Sequence, residues 1–353
     1  MHLHLATDAE LNRYLSRRAG ERHQGESWLL GDQLLGDSLT QKLAFAKAQG
    51  IRFVLLGIPE DIGPRANLGR GGADGGWDAF LSQFANQQCN ELTSGDDILL
   101  LGHIDTADLQ SRCHQLDASN DAQLQQLRHA TAELDARVTP VIEAIAAEGL
   151  EAIVIGGGHN NALPILAGYR LGLNQPLAAV NLDPHSDFRA TEGRHSGNGF
   201  AYAAQAGHLC HYHVLGLNEL KNNQHSLDSL TEHGFGWHSL QQLWIRREMS
   251  LTTALSDITA SLNAKQCPVG LELDLDAIAG LASSAETMAG IPLMDAAHIV
   301  YALAQSPRCT YLHLAEGAPS CHISGLQAGK RQVGQALSEL VFSYLSARRQ
   351  PLG

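Results

Sequence analysis

The chain has 353 residues, 44% hydrophobic and 17% charged, which excludes a disordered chain and leaves ample material for a core. Its formal net charge of -13 repels nucleic acid and anionic membranes at long range, so neither is expected as a partner. No apolar stretch is long enough to span a bilayer, the N-terminus lacks a secretory pattern, and the six cysteines are scattered without a CxxC pair, so a cytoplasmic protein with reduced thiols is expected.

The first fifty residues are mixed and weakly periodic, and read as an N-terminal extension (1–50) packed on a single main domain (51–353). Beyond them, short β-rich runs alternate with helical patterns. Strands are expected at Ile51–Ile58, Ile98–Leu101, Ala152–Ile155, Leu177–Leu182, Tyr212–Leu217, Val269–Asp274 and Cys309–Leu314. Helices are expected around Ala122–Glu148, Ala162–Leu171, Leu251–Leu262, Met294–Ala304 and Gly334–Ala347. Continuous apolar strands alternating with helices mean a parallel sheet covered on both faces. In such sheets ligands bind beyond the carboxyl ends of the strands, so polar clusters should follow strands directly.

Three clusters do. Gly156-Gly157-Gly158-His159-Asn160-Asn161 follows Ala152–Ile155; glycines let the backbone turn sharply and aim His159 above the sheet. Taken alone, such a loop is as often a phosphate cradle or a plain turn. Asp183-Pro184-His185-Ser186-Asp187 follows Leu177–Leu182, and in an extended backbone Asp183, His185 and Asp187 point to one side. Two carboxylates and an imidazole converging there call for a cation; the alternative is a solvated turn with capping aspartates. In Glu272-Leu273-Asp274-Leu275-Asp276, the acids share one face and the leucines the other. That is either a metal-neutralised set or an edge strand with its acids in water. Together the clusters offer His159, Asp183, His185, Asp187, Asp274 and Asp276, an oxygen-rich set with some imidazole that suits manganese better than zinc or copper. His208, Cys210, His211 and His213 lack a partner cluster and read as surface or packing residues.

These motifs resemble the arginase superfamily, the ureohydrolases, with their GG-x-H loop, D-A-H-x-D segment and D-x-D strand end. The resemblance runs from about Ile51 to Pro319 and is greatest to formimidoylglutamases, through Gly57–Asp61 with Asn67–Ala73 and through His195–Phe200. It implies a three-layer α/β/α sandwich with a mainly parallel sheet of about eight strands, a homo-oligomer, and two Mn2+ per subunit. Asp183 and Asp274 would bridge the ions, His159 and Asp187 completing one site, His185 and Asp276 the other. The implied reaction is hydrolysis of a C–N bond in a small amidine or guanidine by metal-acidified water. Asp276 would also serve the nucleophile's proton, and Asp295 would orient the amidinium from the G-L-T-x-x-E position. His195 would be a proton shuttle, and Arg70, Arg189 and Asn198 would be candidates for a substrate carboxylate. Asn67 and Ser196 join the substrate contacts. Glu316, in a segment like D-I-x-E-x-N-P, either contacts substrate or braces a ligand. Departures include Gly158 for the aspartate of GGDH and Pro184 for alanine. Two further possibilities stand beside amidine hydrolysis: release of urea from a guanidino compound, and a metal-dependent sensor without turnover.

Overall fold

The computed structural model describes residues 2–350. Ten strands form one sheet: β1 (Leu3–Leu5), β2 (Leu29–Leu30), β3 (Phe53–Gly57), β4 (Ile98–Ile104), β5 (Glu151–Ile155), β6 (Leu177–Leu182), β7 (Leu209–Leu217), β8 (Gly236–Ser239), β9 (Val269–Asp274) and β10 (Cys309–Ala315). Their order is β1-β4-β3-β5-β10-β9-β6-β7-β8, with β2 also paired to β4, and every pairing but β1 with β4 is parallel.

Successive side chains on a strand face opposite ways, and the two cores show it. Phe53 and Leu55 of β3 enter one, Val54 and Leu56 the other. Helices Gly76–Phe84, Leu251–Lys265, Leu293–Ala304 and Leu326–Arg349 cover the first face. Helices Leu39–Ala48, Asp121–Ala147, Ala162–Gly172 and Gly199–Gln205 cover the second. The helix Asp121–Ala147 shows why such segments are helical. Asn120 caps it by accepting from the Gln123 amide, and Leu127, Leu134, Val138, Val141, Ile142 and Ile145 are buried at helical spacing. None of the described helices is long and apolar enough to cross a membrane.

This is the three-layer α/β architecture expected, with ten strands in place of about eight. The strands beyond the seven runs expected from the sequence are β1, β2 and β8, of three, two and four residues, too short to carry a period-two pattern. The first fifty residues thus put two strands into the sheet as well as packing a helix on it.

The topology decides where a ligand can sit. Between β5 and β6 in space lie β10 and β9, so the chain leaving β5 crosses two strands before it re-enters the sheet. Loops on either side of such a switch point part and leave a crevice at the carboxyl ends of the strands. The loops after β5, β6, β9 and β10 all open there.

Candidate metal centre

After β5, Gly156 and Gly157 take positive φ values of 85° and 75°, which turns the chain back over the sheet. Gly158 is needed for another reason: a Cβ there would lie 2.3 Å from Pro64 Cδ, so the aspartate of GGDH has no room. The fully buried Glu60 braces this loop instead. Its Oε1 accepts from the Gly158 amide at 2.7 Å and from Asn161 Nδ2 at 2.8 Å, and its Oε2 from the Gly63 amide at 3.0 Å. His159 then enters a 3₁₀ turn (His159–Asn161) with its ring completely buried.

The second cluster converges by a different route from the extended segment expected. β6 ends at Leu182; His185 folds back so that its amide donates to Asp183 Oδ1 at 2.7 Å, and Asp187 adopts a φ of 46°. Aspartate tolerates that left-handed conformation better than most residues. At the end of β9 a short 3₁₀ turn (Leu275–Ala277) repeats the device, the Asp276 amide donating to Asp274 Oδ1 at 2.7 Å.

The six residues meet. One ligand atom from each of His159, Asp183, Asp187 and Asp274 lies within 4.8 Å of the others, and the same holds for His185, Asp274 and Asp276. His159 Nδ1 is 3.2 Å from Asp183 Oδ2, 3.0 Å from Asp187 Oδ2 and 3.6 Å from Asp274 Oδ2, while His185 Nδ1 is 3.3 Å from Asp183 Oδ1. His159 Nδ1 and Asp187 Oδ2 are buried without any hydrogen-bond partner. Orphaned atoms of this kind, aimed at one point among carboxylates, fit a pair of divalent cations.

The electrostatics agree. Burial, with Asp276 and Asp183 beside it, pushes the Asp274 carboxyl well above the usual range. Burial and the Asp183 charge push Asp187 up, and burial raises Asp276. Burial opposes a charged His159, but the surrounding carboxylates outweigh it and hold the imidazole well above its ordinary value. A carboxyl raised by the fold destabilises it once the pH climbs past the unfolded value. A raised imidazole loses its stabilising charge as the pH passes the folded value. Both effects act in the same direction between about pH 5 and pH 8. Asp183, held low by His159 and His185 despite its burial, matters only in acid, below its unfolded value near about 4. The metal-free protein is therefore expected to melt several degrees lower at about pH 8 than at about pH 5.5, and divalent metal to flatten that slope. A chelator-treated protein whose melting temperature ignores pH would contradict this charge distribution.

A cavity of about 190 Å³ opens over the cluster, and His185, Asp187, Asp274 and Asp276 reach its floor. Of the expected substrate contacts, Asn67, Arg189, Ser196 and Glu316 line it. Four other residues do not, and each has a different task. Arg70 ties its loop to the segment after β9, donating to the carbonyls of Ser284 at 3.0 Å and Ser283 at 3.1 Å. Asn198 has no free amide: Oδ1 accepts from Arg194 Nη1 at 2.8 Å, and Nδ2 donates to the carbonyls of Gly193 at 2.8 Å and Ala190 at 3.2 Å. His195 is buried in the same loop, its Nδ1 accepting from the Gly197 amide at 3.2 Å, and burial pushes it down to about 4. Its Nε2 lies 3.4 Å from Glu192 Oε1, and the residue stands behind the cavity lining. Asp295 accepts from the Trp244 indole N–H at 3.0 Å, in the first turn of Leu293–Ala304 and outside the cavity lining. For Arg70, Asn198 and His195 the common reason is that tight loops leave backbone and guanidinium groups that must be satisfied, and nearby polar side chains are used for that.

Lys221 and Asn222 also line the cavity and were missed. They follow β7, the neighbour of β6, so the strand-end rule could have drawn attention to them.

Fold and cluster together define a three-layer α/β protein with a ready-made place for two divalent cations at its switch point. Residues 51–343 match the sequence profile of the arginase family, and the chain belongs to that family. Formimidoylglutamase of Salmonella newport (strain SL254) is 27% identical over 290 residues, covering 78% of this chain and 81% of that protein. Among solved structures, formimidoylglutamase from Bacillus subtilis superposes with a TM-score of 0.68 at 15% identity, over 96% of this chain and 98% of the other. Trypanosoma cruzi formiminoglutamase with Mn2+ gives 0.62 at 18% identity, over 87% and 99%. At these identities the solved structures establish the fold.

Proposed function

We propose that the chain hydrolyses N-formimidoyl-L-glutamate to L-glutamate and formamide, a step of histidine degradation, with two manganese ions. The observation that carries this reading is the charge layout of the cavity. An acidic floor faces two cations, Arg189 and Lys221, and neither pairs with another described residue. An amidine carrying two carboxylates matches that layout; agmatine, with none, does not. The formimidoylglutamases among its relatives support the same substrate.

Held by His159, Asp183, His185, Asp187, Asp274 and Asp276, two divalent ions would supply Lewis acidity and a water acidified to near neutrality. Glu316 Oε2 is buried, without a partner, and lines the cavity, so it receives the amidinium and sets its planar carbon over the cluster. Asp276 passes the proton of the attacking water to the leaving nitrogen as the C–N bond breaks. Arg189 presents its planar fork to one substrate carboxylate, and Lys221 a point charge to the other. Asn67, its Nδ2 donating to Ser196 Oγ at 3.3 Å, closes the wall beside Arg189. A cytoplasmic location and a homo-oligomeric assembly go with this reading, and six unpaired thiols support a reducing compartment.

The deciding assay offers manganese-loaded protein a panel of amidines and guanidines and identifies the product. Formamide from formimidoylglutamate is expected. Release of urea, or tight binding without turnover, would replace this reading with a guanidino hydrolase or a sensor. Lys221→Met should raise KM for formimidoylglutamate about tenfold while leaving kcat little changed, since a half-exposed lysine contributes about 1.4 kcal/mol of such an interaction. An amidine with a single carboxylate should lose less; equal losses on both substrates would remove Lys221 from the recognition of the second carboxylate.

A further inference from the structure

Beneath the metal cluster lies a second buried group that the reaction above does not use. β9 and β10 are parallel neighbours in which Glu272 and His313 are direct partners, and β5, which delivers His159, pairs with the other side of β10. Glu272 and His313 are fully buried at the side chain. Both carboxylate oxygens of Glu272 are engaged: Tyr311 Oη donates to Oε1 at 2.6 Å, and His313 Nδ1 lies 2.6 Å from Oε2. Oε2 is also 3.5 Å from His159 Nε2, a few tenths of an ångström beyond an ordinary N–H···O bond.

His159 therefore stands between two sets of carboxylates. Its Nδ1 faces Asp183 and Asp187, and its Nε2 faces Glu272. An imidazole that ligates a cation must offer a bare nitrogen to it and keep its proton on the other. His159 Nε2 is buried and has no other hydrogen-bond partner, so Glu272 is the acceptor toward which that proton can point. A purely structural reading of Glu272 is the weaker one. Its neighbours on β9 are Leu271 and Leu273, and a further apolar residue would fill the sheet without burying a charge.

We propose that Glu272 is a positioning residue for the metal centre: it keeps the His159 proton on Nε2, leaving the Nδ1 lone pair to the cation, and is itself held by Tyr311 and His313. Carboxylates behind a ligating histidine orient the ring and raise its basicity, and their loss lowers metal affinity about 10- to 100-fold. The inference rests on the metal-centre reading, and the experiment separates the two.

Binding of Mn2+ alone is titrated against a competing chelator for the wild type and Glu272→Gln, with the metal-free melting temperature measured in parallel. The expected result is two ions bound by the wild type, and in the variant a 10- to 100-fold weaker affinity for one of them. The spin-coupled Mn2+ pair signal should give way to that of an isolated ion. Wild-type protein that binds no Mn2+ would refute the metal centre itself. Equal affinities in wild type and variant would refute only the role of Glu272. Should Glu272→Gln fail to fold, Tyr311→Phe removes one donor that holds Glu272 without touching His159. A weakened affinity there supports the proposal, and an unchanged one overturns it.

Discussion

Asp274→Asn is expected to abolish turnover, by at least about 10³-fold in kcat, and to bring bound metal from two ions per chain to one or none. Asp274 belongs to both ligand groups, and Asp183 reaches toward both as well, its Oδ2 3.2 Å from His159 Nδ1 and its Oδ1 3.3 Å from His185 Nδ1. The same substitution should act in the opposite direction on the metal-free protein. Its carboxylate is buried against Asp183 and Asp276, and removing one charge from that set relieves repulsion. The metal-free variant should therefore melt no lower than metal-free wild type, while losing most of the stabilisation that Mn2+ confers. That crossing of effects distinguishes a lost site from a damaged fold. Full activity with two ions bound would sink the assignment.

The second large effect is expected at Glu316. It follows β10 directly, with a φ of 67° that a non-glycine residue adopts only under constraint, and it is almost fully buried. Oε1 accepts from the His159 amide at 2.7 Å, leaving Oε2 for the cavity. Burial, with Asp274 and Asp276 close by, pushes its carboxyl well above the usual range, so it has a strong demand for a cationic partner. Glu316→Gln keeps the shape and the bond to His159 but removes the charge that meets the amidinium. A buried charge pair broken on one side costs about 2–5 kcal/mol, so kcat/KM should fall by about 30- to 5,000-fold. Asp295→Asn, by contrast, should change kcat/KM less than about threefold, because that carboxylate is engaged by Trp244 outside the cavity lining. If Asp295→Asn were the damaging one and Glu316→Gln harmless, the amidinium would have to sit elsewhere.

The contrast between those two acids shows what could and could not be read from the chain. All six residues of the metal cluster were visible because few arrangements besides a ligand set put alternating acids, or a glycine-histidine turn, at the end of an apolar run in a covered parallel sheet. β6 and β9 were placed to the residue for a related reason: both are buried on every side, and each begins directly after a proline, Pro176 and Pro268. Spacing could not choose between Asp295 and Glu316, since which acid faces the crevice depends on how a helix and a strand end sit in space. Nor could it tell that Asn198 and Arg70 are engaged by carbonyls and a guanidinium, because demand for hydrogen bonds is created by loop geometry. β1, β2 and β8 escaped for want of length, and β2 has only two residues.

The glycine loop braced by Glu60 has one more consequence. Three donors are tied to that carboxylate inside the folded chain, the His159 amide is held by Glu316, and the His159 ring is fully buried. The entropy of ordering the loop is lost in folding and not again on each metal-binding event, so the ligand set resembles a rigid chelator more than a flexible one. Exchange of one divalent ion for another would then be governed by the ions' own size and hydration, with little help from movement of the protein.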